Sequence, residues 1–278
     1  LDANTAWVAG GNGTNSSGLF KTTNGGSTWS QQLASNTSGT FYDAVVFTDA
    51  NNGILFGDPE NGYFVVFTTT NGGTTWTRTS QTNIPAPLSG EIGLNNNLAI
   101  SGNTVTFGTG ASRIFRSSDR GKTWLASNVL AGLGTFLTST AFRDNLYVLE
   151  SGDNGSVVRS TDGGITWSTP ISTGATYAGA LTFVSPAAAI LVGKGTTSNA
   201  YLSTDGGLTW VARPTNVAWP LYDVSFGSLS AGWAVGANGM ILKWTGGTLG
   251  GPLTETEPNN TASQANSVVL GDSLNASI

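Results

Sequence analysis

The sequence predicts an all-β fold, a β-propeller of four-stranded antiparallel blades, and three observations carry that prediction. An eight-residue pattern, T/S-x-N/D-x-G-x-T-W, occurs five times in 278 residues. Its tryptophans, Trp29, Trp76, Trp124, Trp167 and Trp210, stand 47, 48, 43 and 43 residues apart. A period in the 40s that encloses several short strands belongs to propellers and solenoids. Between the motifs lie short apolar runs separated by turn residues, and helix-period patterns are absent.

The motif reads TTNGGSTW at Thr22–Trp29, TTNGGTTW at Thr69–Trp76, SSDRGKTW at Ser117–Trp124, STDGGITW at Ser160–Trp167 and STDGGLTW at Ser203–Trp210. Asn24, Asn71, Asp119, Asp162 and Asp205 occupy its third position. A short amide or carboxylate there folds back onto nearby backbone N–H groups, and the glycine two residues later takes a shape that a Cβ resists. The tryptophan is then expected to bury its ring between adjacent blades. These ten side chains are read as structural. One carboxylate per turn is too few for calcium, which takes about 6–8 oxygens, and no metal is expected.

Two further strands precede the strand that enters each motif. In the second repeat the three are Tyr42–Phe47, Gly53–Phe56 and Tyr63–Phe67; in the last they are Tyr222–Phe226, Trp233–Val235 and Met240–Trp244. With the strand after the tryptophan, each unit has four, and six blades are visible. Leu1–Gly10 aligns with Thr48–Gly57, so the first blade is expected to begin at its second strand, and a seventh upstream is left open. The expected domains are a propeller over residues 1–250 and a linker with the start of a further β domain over 251–278.

Composition excludes several chemistries. The chain has no cysteine and no histidine, which removes disulfides, thiol nucleophiles, serine-histidine catalysis and conventional zinc sites. It carries 11 basic and 16 acidic residues, a net charge of −5, with no basic run, so no nucleic-acid partner is expected. No stretch reaches the roughly 20 apolar residues of a membrane span, and no membrane insertion or cofactor is expected. Low charge with many short polar side chains suits a secreted or surface protein.

The repeats resemble the Asp-box (BNR) repeats of sialidases, sortilin-type receptors, xyloglucanases and the photosystem II assembly/stability-factor propellers. The texture is most similar to the last group and its bacterial secreted relatives, through Phe41-Tyr42-Asp43-Ala44, Asp58-Pro59, Pro87-Leu88-Ser89-Gly90-Glu91, Phe115 to Gly121 and Ala141-Phe142-Arg143-Asp144. Glu255-Thr256-Glu257-Pro258-Asn259-Asn260 resembles the opening of a bacterial pre-peptidase C-terminal domain. A sialidase would need an arginine triad, and here Arg116, Arg120 and Arg159 adjoin the repeat motifs instead. The assembly factors imply an arginine-rich binding face, whereas this chain is acidic overall.

Loops on a rigid scaffold carry most sites. The loops opposite the Asp-box turns, around the expected channel mouth, hold Asp43, Asp58, Glu60, Glu91 and Asp223, with Tyr42, Tyr222, Trp219 and Arg113 as further ligand-binding candidates. Asp153 and Lys194 lie on the same loops. Tyr42-Asp43 and Tyr222-Asp223 are both placed at the opening of a first strand, and Gly57–Gly62 is read as a long loop. The leading expectation is a non-catalytic extracellular recognition or scaffold module of a larger bacterial secreted or cell-surface protein, binding polysaccharide or protein at the mouth. One alternative is a glycoside hydrolase using two mouth carboxylates; another is an assembly factor that binds a membrane-protein partner.

Overall fold

The structure, a computed structural model, describes residues 2–11, 17–35, 37, 39–95, 97–195, 198–228 and 231–244, and three two-residue strands beyond them. It is an all-β propeller fold. Two compact units, Leu1–Leu130 and Ala131–Ile278, each contain three of the six main sheets among the described residues. Apart from one edge of the sixth, each main sheet is a meander of consecutive antiparallel strands. The second is typical: Tyr42–Phe47, Gly53–Glu60, Tyr63–Thr69 and Thr77–Arg78. The first sheet has three strands, Ala6–Gly11, Ser17–Thr22 and Ser30–Ser35, and these match the second to fourth strands of the others. In the sixth, Ile241–Trp244 is flanked by Ser267–Val268 in parallel, not by an antiparallel fourth strand.

Second strands are buried on both faces because both faces are covered. Thr104–Gly108, Val148–Gly152 and Ala189–Gly193 are buried at every residue, the pattern of a strand between two packed layers. In the first unit the core between the second and third sheets is aromatic. Phe107 stacks on Phe56 at 4.0 Å and on Phe115 at 4.8 Å, and Trp124 lies 4.9 Å from Phe107. In the second unit the matching layers are aliphatic, Leu149, Val157, Leu181 and Leu191.

Each Asp-box is a closed hydrogen-bond unit. Asp162 Oδ1 accepts from Ser160 Oγ at 2.7 Å and from the N–H groups of Ile165 and Thr166 at 3.0 and 2.9 Å. Asp205 repeats this set, and Thr209 Oγ1 donates to its Oδ2 at 2.6 Å. Where the residue is asparagine the last bond reverses: Asn24 and Asn71 donate from Nδ2 to Thr28 and Thr75 Oγ1. The fourth motif position is left-handed in all five turns. It is Gly25, Gly72, Gly163 and Gly206 in four and Arg120, at φ 60°, in the third. For a residue with a Cβ that conformation costs about 1–2 kcal/mol.

The structure corrects several expectations. The Asp-box tryptophans are not equivalently buried: Trp124 is 4% exposed, Trp76, Trp167 and Trp210 are half-buried, and Trp29 is 44% exposed. Trp76 and Trp210 sit on the seam with the preceding sheet of their unit, against Phe47 beside Trp7 and against the Tyr147 layer. Trp29 stands at the entry to Ser30–Ser35 in the first sheet. Gly57–Gly62 is not a long loop either. The ladder runs on through Pro59↔Phe64 to Glu60↔Tyr63, closed by Asn61 and Gly62 at φ 59° and 85°, the two-residue turn that Asn-Gly favours. The expected boundary at residue 250, and most of the segment compared with a pre-peptidase domain, lie outside the described residues.

Candidate functional site

In the second, fourth, fifth and sixth blades, the start of the first strand and the second-to-third turn meet at the end opposite the Asp-box. A recurring bond pins them together: the N–H groups of Asp58, Asp153, Lys194 and Ala237 donate to the carbonyls of Phe41, Phe136, Tyr177 and Pro220 at 2.8–2.9 Å. At this end the first strand of four blades carries a bulge, which leaves one residue out of the ladder. Bulges re-aim a side chain. The extra residue is Asp43 in the second blade, Thr138 in the fourth, Gly179 in the fifth and Tyr222 in the sixth.

Asp43 is thereby turned inward over Gly93. A Cβ at Gly93 would collide with Asp43 Oδ2 and press on Phe56, so glycine makes the space for the carboxyl. Asp58 reaches the same residue from the adjoining turn and accepts the Gly93 N–H at 2.8 Å. Asp43 Oδ2 is buried without a hydrogen-bond partner among the described residues. Burial, and then the neighbouring Asp58 charge, push the Asp43 carboxyl up to about 8. Burial also raises Asp58, against the Gly93 hydrogen bond that lowers it. Gly93 was not legible as a site residue, since a lone glycine gives no sign of a carboxyl above it.

The other carboxylates of the first unit are engaged by its scaffold. Glu91, although close to Gly93 in sequence, is buried in a complete network. Its oxygens accept from Arg113 Nη1 at 2.8 Å, Thr109 Oγ1 at 2.6 Å and the Leu88 N–H at 2.7 Å. The Arg113 guanidinium carbon lies 4.9 Å from the centre of the Phe115 ring, so the pair fastens the Pro87–Glu91 loop to the third blade. Glu60 is bound by Arg78 at 2.7 Å and by Ser35 Oγ at 3.1 Å. Burial raises its pKa, but the hydroxyls of Thr37 and Ser35 and the Arg78 guanidinium outweigh that and lower it. The structure thus brings Asp43 and Asp58 together and assigns Glu91, Glu60 and Arg113 to separate contacts.

In the second unit the register differs from the sequence alignment. Leu221 pairs with Gly236 as Tyr42 pairs with Gly57, so Tyr222, not Asp223, occupies the place of Asp43. Tyr42 is a core residue at 2% exposure, whereas Tyr222 is 46% exposed. Lys194 Nζ lies 5.3 Å from the Tyr222 ring and 5.6 Å from that of Tyr177. Trp219 is exposed nearby in sequence, and Asp223 is half-buried with its Oδ1 accepting the Val224 N–H.

The fold and the site together define an Asp-box propeller with a carboxyl pair set into one blade end. The photosynthesis system II assembly factor YCF48 family matches residues 1–144, and a BNR/Asp-box repeat matches residues 158–169. The chain belongs to the YCF48 family. Among solved structures it is similar to YCF48 from Cyanidioschyzon merolae, at 18% identity over 86% of this chain and 91% of that one, with a TM-score of 0.51. It is also similar to the GH74 xyloglucanase of Xanthomonas campestris, at 18% identity over 84% of this chain and 44% of that one, TM-score 0.59. A structure of YCF48 bound to D1 peptide matches at 20% identity over 86% and 89% of the chains, TM-score 0.44. No curated protein matches the sequence.

Family membership overturns the leading expectation. The family is one of assembly factors, not extracellular recognition modules, and neither secretion, a cell surface nor a bacterial source finds support in its match. The misreading has a physical source: few charges and many short hydroxyl and amide side chains are what Asp-box turns require, so that composition reports the repeat and not an address. The polysaccharide partner expected at the mouth finds no support in the family match.

Proposed function

We propose that the chain is a non-catalytic assembly factor that holds an extended segment of a membrane-protein partner, with Asp43 and Asp58 as its hydrogen-bonding centre. The observation that carries this reading is Asp43 Oδ2, a buried oxygen with no partner among the described residues, set beside a second carboxylate. Leaving a buried polar group unpaired costs about 1–3 kcal/mol, and a ligand that supplies the missing bond recovers it. An extended peptide presents alternating N–H and C=O groups. Protonated Asp43 has an O–H to donate, and Asp58 has acceptor oxygens to spare. The Glu91–Arg113 and Glu60–Arg78 pairs act as supports that hold the surrounding turns. In the second unit, exposed Trp219 and Tyr222 offer rigid aromatic contact area of their own.

The test is a titration of the whole chain against labelled D1 peptide, followed by fluorescence anisotropy. Saturable binding is expected, weakened at least about tenfold, the worth of one hydrogen bond, in Asp43→Ala with the fold intact by circular dichroism. Absence of saturable binding, or an unchanged affinity in Asp43→Ala, contradicts the reading.

A further inference from the structure

At the Asp-box end, opposite Asp43, a cleft of about 370 Å³ opens between the second and third blades of the first unit. Its floor includes Ile54 and Ile100. Its walls carry hydroxyls and amides, Thr70, Ser118, Asn52 and Asn103 among them, and its charged lining residues are Arg120, Lys122 and Asp119. A space of this size is that of a small-molecule pocket, where a few polar groups fix orientation.

Arg120 stands out. It occupies the left-handed position that is glycine in the four sibling turns, and its N–H keeps the bond those glycines make, here to the Asn103 carbonyl at 3.0 Å. The turn therefore needs nothing from the arginine side chain, yet a strained residue stands at the cleft. Backbone strain of that kind points toward function when the surrounding structure holds it in place. Asn103 Oδ1 accepts the Arg120 Nε–H at 2.8 Å, which orients the guanidinium and leaves its terminal nitrogens available. Neither Arg120 nor Lys122 forms an ion pair among the described residues. Asp119 turns its carboxylate into its own Asp-box, accepting from Ser117 Oγ, Thr123 Oγ1 and the N–H groups of Lys122 and Thr123. Two cations with open donors thus face one carboxylate that is already hydrogen-bonded.

We propose that this cleft binds the phosphate monoester of a small hydroxylated molecule. Arg120 and Lys122 take the phosphoryl oxygens, and the hydroxyl and amide walls take the remainder. A planar guanidinium and a mobile ammonium supply donors from different directions, which suits the three oxygens of a phosphoryl group. The inference is independent of the partner-binding reading, because it concerns the other end of the blades.

The experiment titrates the whole chain, in separate arms, with glucose 6-phosphate, inorganic phosphate and glucose, read by calorimetry. Saturable binding of glucose 6-phosphate, weaker binding of phosphate and none of glucose are expected. Arg120→Gly restores the sibling residue, so its melting temperature is expected to equal or exceed that of the parent while affinity falls at least about tenfold, as for a lost charge-assisted contact. Lys122→Ala is expected to weaken binding in the same direction. No saturable binding of glucose 6-phosphate, equal affinity for glucose, equal affinity for free phosphate, or undiminished binding in Arg120→Gly would each overturn the assignment.

Discussion

Asp162 and Asp43 are the same residue in opposite circumstances. Asp162 sits in a turn whose hydroxyl and amide donors converge on it. Burial pushes its carboxyl up, but the Thr166 and Ser160 hydroxyls and the Thr166 and Ile165 N–H groups outweigh that and hold it at about 2. Asp205 is held at about 2 by the matching groups. Asp43 is half-buried over Gly93 with its Oδ2 enclosed and unpaired among the described residues and another carboxylate beside it, and it is pushed to about 8. A carboxylate whose donors come from its own turn serves the fold. One that the fold buries and leaves unpaired has capacity for something else.

The largest expected effect concerns the turns that Asp162 represents. Trp124→Ala removes a buried ring from the aromatic core and is expected to cost about 3–5 kcal/mol, whereas Trp29→Ala, on an exposed ring, is expected to cost less than about 1 kcal/mol. Denaturant unfolding measures both, and similar losses would mean that Asp-box tryptophans act alike whatever their burial.

Asp43→Asn comes next. The folded state keeps a proton on Asp43 up to about pH 8, while the unfolded chain releases it near pH 4. The stability linked to that proton is therefore fully present below pH 4 and is lost as pH rises through 8. Asp43→Asn, which carries no charge, is expected to gain roughly 2–5 kcal/mol on the parent at pH 9 and little at pH 4. A gain independent of pH would remove Asp43 from the comparison.

Asp162→Ala reverses the sign. The folded pKa of Asp162 is depressed, so its contribution is present above pH 4 and is lost as pH falls through about 2. The substitution is expected to cost about 1 kcal/mol at neutral pH, by analogy with a lost helix cap, and the difference from the parent should narrow in acid. The smallest effect is Arg120→Gly, where relief of left-handed strain and the added freedom of glycine in the unfolded chain nearly cancel, a net gain of 0 to about 1 kcal/mol.

The repeat was legible because each of its residues has a local reason. Asn24 or Asp205, the glycine after it and the tryptophan interact mainly within their own turn, so periodicity alone reveals the blades. The site was legible only in part. Asp43 and Asp58 were nominated together from their places in one blade, and the structure joins them at Gly93. Glu91 was grouped with them by loop position, but Arg113 and Thr109 hold it elsewhere, and no local pattern announces a partner 22 residues away. Tyr222 took the place expected of Asp223 because Tyr222–Phe226 is one residue shorter than Tyr42–Phe47, and with Phe226 and Phe47 matched by their pairing with Gly232 and Gly53 the two Tyr-Asp pairs fall out of step by one. The strain at Arg120 was visible in principle, as the one non-glycine in a column of glycines, once the column is read as left-handed.

The most direct measurement is a carbon-detected NMR titration of the aspartate side-chain carboxyls in the whole chain. Asp43 is expected to titrate near 8, and Asp162 and Asp205 near 2. An Asp43 midpoint in the ordinary carboxylate range, about 3–5, would show a carboxyl already satisfied by the fold and would contradict the account.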